Sequence, residues 1–364
     1  MQAVTSSLRK EGIRYFLFRF SSLDRYFHIN NAPYLYLAVE ASLIDLARIF
    51  PHLEYKNLSH ADAVLPGNEF NIHFTCLEKG EKADRFPISL LNIFYEPERK
   101  AFKDPLSVYS DLRAAAGTLL FSNNDGWYTI ADCALLACRY NIDIPPDLLP
   151  PENIQQLNLY EQREILQMIL SSPHPEKGFS ILKQYGFIEN HWPVLEKLSS
   201  VNQDKEYHPE GNAWEHTLEA MKYQKRKDFL VALGILLHDI GKSVAVEAEG
   251  KKFNAHAELG MKQAKKFLRG LEFPDNIIED IAYLVKYHMV PGALPRLPLR
   301  RSEHIMTSPL FPQLLELYRC DLLSTFRGPD NYYKACRVYK GFLKNKKNPF
   351  RNGSGKQIIR QYVE

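Results

Sequence analysis

Residues 229–242 read FLVALGILLHDIGK, and this stretch decides the architecture of the C-terminal half. Leu230 to Leu237 is apolar on every side of a helical wheel, so the helix belongs at the centre of a helical domain. His238 and Asp239 follow, and Ile240-Gly241 then supplies a helix stop. On the wheel His238 follows Val231 and Ile235, while Asp239 follows Ala232 and Ile235. Both polar groups therefore extend buried stripes.

The pattern recurs on both sides of that helix. His216 falls with Ala213 and Ala220, His288 extends Ile277, Ile281 and Leu284, and Asp321 extends Leu314 and Leu317. His256 opens a helix whose inner face continues through Gly260 and Phe267. Helices are expected over 213–227, 229–239, 256–270, 275–289, 309–324 and 331–346. Four histidines and two aspartates then point inward from different helices. One histidine on an apolar stripe is usually a hydrogen-bonded core residue; six such groups together point to a ligand set. An unpartnered buried carboxylate costs several kcal/mol, on the scale of a domain's net stability. Apart from Lys242, the segments from 213 to 324 offer no Lys or Arg at an equivalent inward position, so a bound cation is the simplest partner. Nitrogen and oxygen donors without thiolate suit a divalent transition metal, as one or two ions: Mn, Ni, Fe, Co or Zn, with Mg also compatible.

WEH at 214–216, LLHDIGK at 236–242, HAELG at 256–260, VKYHM at 285–289 and LELYRCD at 315–321 occur in that order. Together they resemble the motifs of the HD superfamily of metal-dependent phosphohydrolases. The resemblance implies that His216, His238, Asp239 and Asp321 hold a first metal and that His256 and His288 help hold a second. It also implies that Asp239 and Lys242 are catalytic, and that Lys242 and Arg319 bind the substrate. A metal-activated hydroxide attacking a phosphomonoester or cyclic phosphodiester is the expected chemistry, on a nucleotide or an RNA 3′ end. His208 and His304 are expected at the surface or behind the ligands.

A wider resemblance covers most of the chain. SSPHPEKGFSILKQYGFI at 171–188 and YHPEGNAWEHTLEAM at 207–221 are similar to segments of the bacterial CCA-adding enzyme and poly(A) polymerase family. CALLACRYNIDI at 133–144 looks like that family's neck helix, and 85–105 is a blurred version of the segment closing its head. The implied chain is multidomain: a degenerate α/β nucleotidyltransferase-like head at 1–130, a helical neck at 131–200, an all-α HD domain at 201–347 and a tail at 348–364. The partners implied are a nucleotide or phosphate-ester substrate and tRNA or another RNA.

The head departs from the family pattern where chemistry is concerned. Nucleotide addition needs a paired-glycine phosphate loop and two carboxylates one residue apart to hold the ions. The chain has no Gly-Gly and no Asp-x-Asp, and its Glu-x-Glu pairs are Glu96-Pro-Glu98 and Glu247-Ala-Glu249. Asp24, Asp45 and Asp62 stand alone and read as caps, turns or surface residues. The leading expectation is thus a phosphohydrolase with an inactive head. Two alternatives are a tRNA nucleotidyltransferase with an unusual acid pair and an RNA-binding module with a vestigial HD site.

Within the head, Leu35–Phe50 has helical spacing, while NIHFTCLE and FPISLLNIFY suit strands. The net charge of +3 supplies no global field for nucleic acid. Basic residues crowd the segment after Asn331, from Lys334, Arg337 and Lys340 to Arg360, and read as a solvated helix face. Five cysteines without CxxC fit a reducing cytoplasm, and no apolar run near the start suggests a leader or membrane span.

Overall fold

In a computed structural model the described residues are 2–30, 32–67, 70–78, 86–108, 126–144, 156–202, 211–249 and 256–344, without the side chains of 246–249. The chain forms two compact units, Met1–Pro173 and His174–Glu364. The division falls inside the segment expected as a neck.

The first unit is built on a six-stranded mixed sheet. Its strands are β1 (Tyr15–Leu17), β2 (Tyr34–Val39), β3 (Ala63–Leu65), β4 (Asn71–Cys76), β5 (Phe94–Glu96) and β6 (Ala101–Lys103), in the order β3-β4-β2-β1-β5-β6. β2 and β4 run parallel with Tyr34 opposite Asn71 and Tyr36 opposite His73; the other pairs are antiparallel. Strand alternation sends successive side chains to opposite faces. Leu37, Val39, Ile72 and Phe74 therefore join Leu8 of α1 (Gln2–Lys10) and Leu46 of α3 (Leu43–Ile49) in one apolar core. The other face carries Tyr34, Tyr36, His73 and Thr75, all buried. It meets α2 (Arg19–Tyr26), α4 (Trp127–Tyr140) and α5 (Leu159–Leu170) through side-chain bonds described below.

The helix expected over Leu35–Phe50 is corrected: its first half is strand β2 and only Leu43–Ile49 is helical. YLYLAV alternates as well as it cycles, and pairing with β1 and β4 on both sides decides the conformation. Ser42 and Asp45 then start α3 with a reciprocal capping box.

Asp24 also differs from expectation. It is buried, and Arg139 of α4 grips it twice, Nε to Oδ1 at 2.5 Å and Nη2 to Oδ2 at 2.8 Å. The Tyr140 hydroxyl donates to it at 2.8 Å. Burial raises its pKa against the opposing pull of Arg139. Asp45 is a cap as expected, and Asp62 accepts the Cys76 backbone N–H at 2.7 Å.

The second unit is helical: α6 (Pro175–Gln184), α7 (Ala213–Lys222), α8 (Phe229–Leu237), α9 (Lys242–Glu249), α10 (His256–Gly270), α11 (Asp275–Tyr287), α12 (Leu299–Met306), α13 (Phe311–Leu323) and α14 (Asp330–Leu343), with short helical turns between some of them. The all-apolar α8 lies at the centre, packed by α7, α11 and α13. Asp228 starts it by accepting the N–H groups of Leu230 and Val231 at 2.9 and 3.2 Å. On α14 Lys334, Arg337 and Lys344 face solvent, while Tyr332, Cys336 and Tyr339 are buried. No described helix is long and apolar enough to cross a membrane. The five cysteines are free thiols.

Candidate metal centre

The HD pair sits where α8 ends. The His238 ring is turned by its own backbone: Nδ1–H donates to the Ile235 carbonyl at 2.7 Å. That bond fixes the tautomer and leaves Nε2 as a bare lone pair pointing into the bundle. Nε2 makes no hydrogen bond, although Asp239 Oδ2 lies 3.2 Å away. His288 repeats the device at the end of α11, with Nδ1–H on the Val285 carbonyl at 2.7 Å. A buried imidazole nitrogen without a hydrogen bond is expensive unless something coordinates it.

Donors from three more helices complete the cluster. His216 of α7 places Nε2 at 2.9 Å from Asp321 Oδ1 of α13, and His238 Nε2 lies 3.9 Å from the same oxygen. Ser324 Oγ holds the other nitrogen of His216 at 3.2 Å. On the far side of Asp239, its Oδ1 is 3.6 Å from His256 Nε2 and 4.0 Å from His288 Nε2, and those two nitrogens are 3.2 Å apart. The donors form two groups, His216–His238–Asp321 and Asp239–His256–His288, with the atoms of each within 4.8 Å of one another. Asp239 has an oxygen toward each group and could bridge two ions.

Charge follows the same geometry. Lys242 Nζ lies 2.6 Å from Asp239 Oδ2, giving one ammonium against two carboxylates. Burial by itself would raise both aspartates. The His216 hydrogen bond opposes this at Asp321 and the Lys242 ammonium opposes it at Asp239, and both carboxyls fall below their usual range. Burial, helped by His238, lowers His288 to about 4, so this ring is neutral and able to ligate at physiological pH. The buried donors, the bare Nε2 of His238 and the excess of carboxylate fit one or two divalent ions.

A glycine contact makes the second group possible. A Cβ on Gly241 would collide with the carbonyl of His256 and with the backbone of Gly260, whose Cα would be 2.7 Å away. Hydrogen in place of a side chain at Gly241 lets the turn after the HD pair lie against the first turn of α10.

All six expected metal ligands meet here, with Lys242 beside them. Arg319 does not. Its guanidinium donates to both Glu316 oxygens, at 2.8 and 2.7 Å, and to the Tyr223 carbonyl. It is an inward-facing cation that the wheel analysis did not find, neutralised by the turn before it. His304 stands beside Tyr287, away from the cluster, and His208 lies outside the described residues.

Residues 211–312 match the family of the HD domain. The chain is 31% identical over 196 residues to the CC-adding tRNA nucleotidyltransferase of Thermus thermophilus, a match covering 50% of this chain and 43% of that protein. It is 30% identical over 166 residues to the Multifunctional CCA protein of Alkalilimnicola ehrlichii, covering 44% and 38%. Each match thus spans less than half of the relative's length. In fold, the chain resembles the Bacillus stearothermophilus CCA-adding enzyme solved with CTP, at a TM-score of 0.55 and 13% identity over 96% of this chain and 84% of that one. A tRNA nucleotidyltransferase solved with a primer tRNA and an ATP analogue gives a TM-score of 0.50 at 12% identity over 94% and 98%. The resemblance to the CCA-adding family stands, with a six-stranded mixed head and an HD-bearing helical part. The expectation of a phosphohydrolase is overturned: the relatives are named as a CC-adding tRNA nucleotidyltransferase and a Multifunctional CCA protein, and the fold is like that of a CCA-adding enzyme.

Proposed function

We propose that this chain works at tRNA 3′ ends as a nucleotidyltransferase-type protein whose HD bundle holds divalent ions. The observation that carries the proposal is the 31% identity to a tRNA nucleotidyltransferase over half of the chain. The shared fold supports it without adding to the chemistry.

In the HD bundle His216, His238, Asp239 and Asp321 would hold one ion, and Asp239, His256 and His288 a second. Such ions supply Lewis-acid charge for the phosphate oxygens of RNA or nucleotide. Lys242, beside Asp239, adds an ammonium at the same place, whereas Arg319 would position α13 against the chain at Tyr223. Mn, Ni, Fe, Co and Zn suit these donors, and Mg suits the carboxylates.

A second reading, tRNA binding without nucleotide addition, is favoured by the carboxylates of the head. Among its described residues, Asp24 is held by Arg139, Asp45 caps α3, and Asp62 receives a backbone N–H. Glu96 is paired with Arg14 and Lys103, and Glu98 with Arg9. Each of these is engaged by a partner within the first unit. Incubating the full chain with tRNA lacking its 3′ end and labelled CTP and ATP separates the two. Incorporation establishes transfer. Salt-sensitive tRNA binding without incorporation establishes the second reading, and neither binding nor incorporation overturns both.

A further inference from the structure

The polar face of the head sheet contains a second convergence of donors, far in sequence from the HD motifs. His60 lies in the loop before β3, His73 is in the middle of β4, and Glu164 is in the middle of α5. Their side chains are 0%, 1% and 3% exposed, so water does not solvate them. His60 Nε2 and His73 Nδ1 are 2.9 Å apart, Glu164 Oε2 is 3.2 Å from the first, and Glu164 Oε1 is 3.7 Å from the second. Four ligands at about 2.0–2.1 Å from a tetrahedral ion stand about 3.3 Å from one another. The three contacts, at 2.9, 3.2 and 3.7 Å, lie around that spacing, with a different Glu164 oxygen toward each ring, and one donor atom from each residue lies within 4.8 Å of the other two.

Their outer atoms are equally organised. The Tyr128 hydroxyl bonds His60 Nδ1, the Tyr160 hydroxyl bonds His73 Nε2 at 3.1 Å, and the Tyr36 hydroxyl donates to Glu164 Oε1. Asn71 Nδ2 in turn donates to the Tyr160 oxygen at 3.1 Å. Each of the three groups is thus fixed from behind by a phenol, the arrangement that orients metal ligands. Glu164 Oε2 itself accepts no hydrogen bond. The buried cation of the region, Arg19, is paired with Asp132, so one guanidinium faces two buried carboxylates.

We propose that His60, His73 and Glu164 bind a zinc-class divalent ion that fastens the loop before β3 and strand β4 to helix α5. Two imidazoles and a carboxylate leave one position for a water. The site is separate from the HD centre and does not depend on the function proposed above.

The test uses the full chain with the HD centre disabled, His238→Ala with Asp239→Ala. After zinc loading and a wash with a weak chelator, this variant is expected to keep one zinc per chain by mass spectrometry. A strong chelator should lower its melting temperature, and zinc should restore it. Loaded with cobalt instead, it should show the visible absorption of a nitrogen- and oxygen-ligated tetrahedral ion. Adding His73→Gln should remove both metal and colour. A folded HD-disabled variant that retains no zinc and melts identically with and without chelator overturns the proposal, and so does a folded His73→Gln variant with full metal content. Should His73→Gln fail to fold, the behaviour of the HD-disabled parent decides alone.

Discussion

At the scale of the residue, the same chemical type serves different ends according to its partner. His238 is usable because Ile235 takes its Nδ1 proton, and Asp24 is tolerated because Arg139 and Tyr140 surround it. Removing one member of a buried ion pair leaves the other uncompensated, at a cost of about 3–5 kcal/mol. Asp24→Asn should therefore unfold at markedly lower denaturant, with the slope of the transition unchanged; an unaltered midpoint would show that Arg139 finds another partner. His238→Ala should release the HD-bound metal, measurable by elemental analysis, while the far-ultraviolet circular dichroism stays native. The convergence of the six HD side chains was legible because each continued an apolar stripe within its own helix. Asp24 and Arg319 were not: Asp24 meets Arg139 across 115 residues, and Arg319 meets Tyr223 across 96, distances over which helical spacing carries no information.

At the scale of the element, termini carry much of the organisation. α8 and α11 each end at a ligand, and the turn after α8 must press against α10. Gly241→Ala places a methyl group against the backbone of α10, so α10 must shift and take His256 with it. Loss of the second ion with retention of the first is the expected outcome, read by metal titration against the unmodified chain; an unchanged number of bound ions would refute the packing argument. Replacing Asp228 with Ala should cost about 1 kcal/mol through the lost cap of α8, read by thermal unfolding. The helices carrying the ligands were plain in the sequence because their apolar faces are wide. β2 was not, since YLYLAV satisfies two periods and the choice depends on neighbours supplied by β1 and β4. The short helices Lys242–Glu249 and Leu299–Met306 were also missed. LRRSEHIM has too few apolar residues to declare a face.

At the scale of the molecule, acid acts on the fold through histidines that burial keeps uncharged. In the second unit, burial lowers His191, stacked on Phe187, to about 4. Its value in the unfolded chain is about 6.5. Between those values only the unfolded chain takes up the proton, so stability is full above the upper one and falls as pH drops toward the lower. His191→Gln should lose less melting temperature than the parent between about pH 7.5 and about pH 5; equal losses would place the acid sensitivity elsewhere. Finally, the imidazoles of His238 and His288 are aimed by main-chain carbonyls three residues back, not by an ion. Capture of the ion then asks for no rearrangement of the bundle. Uptake should run at the pace of encounter and ligand exchange, and calorimetric titration at several temperatures should give nearly the same enthalpy.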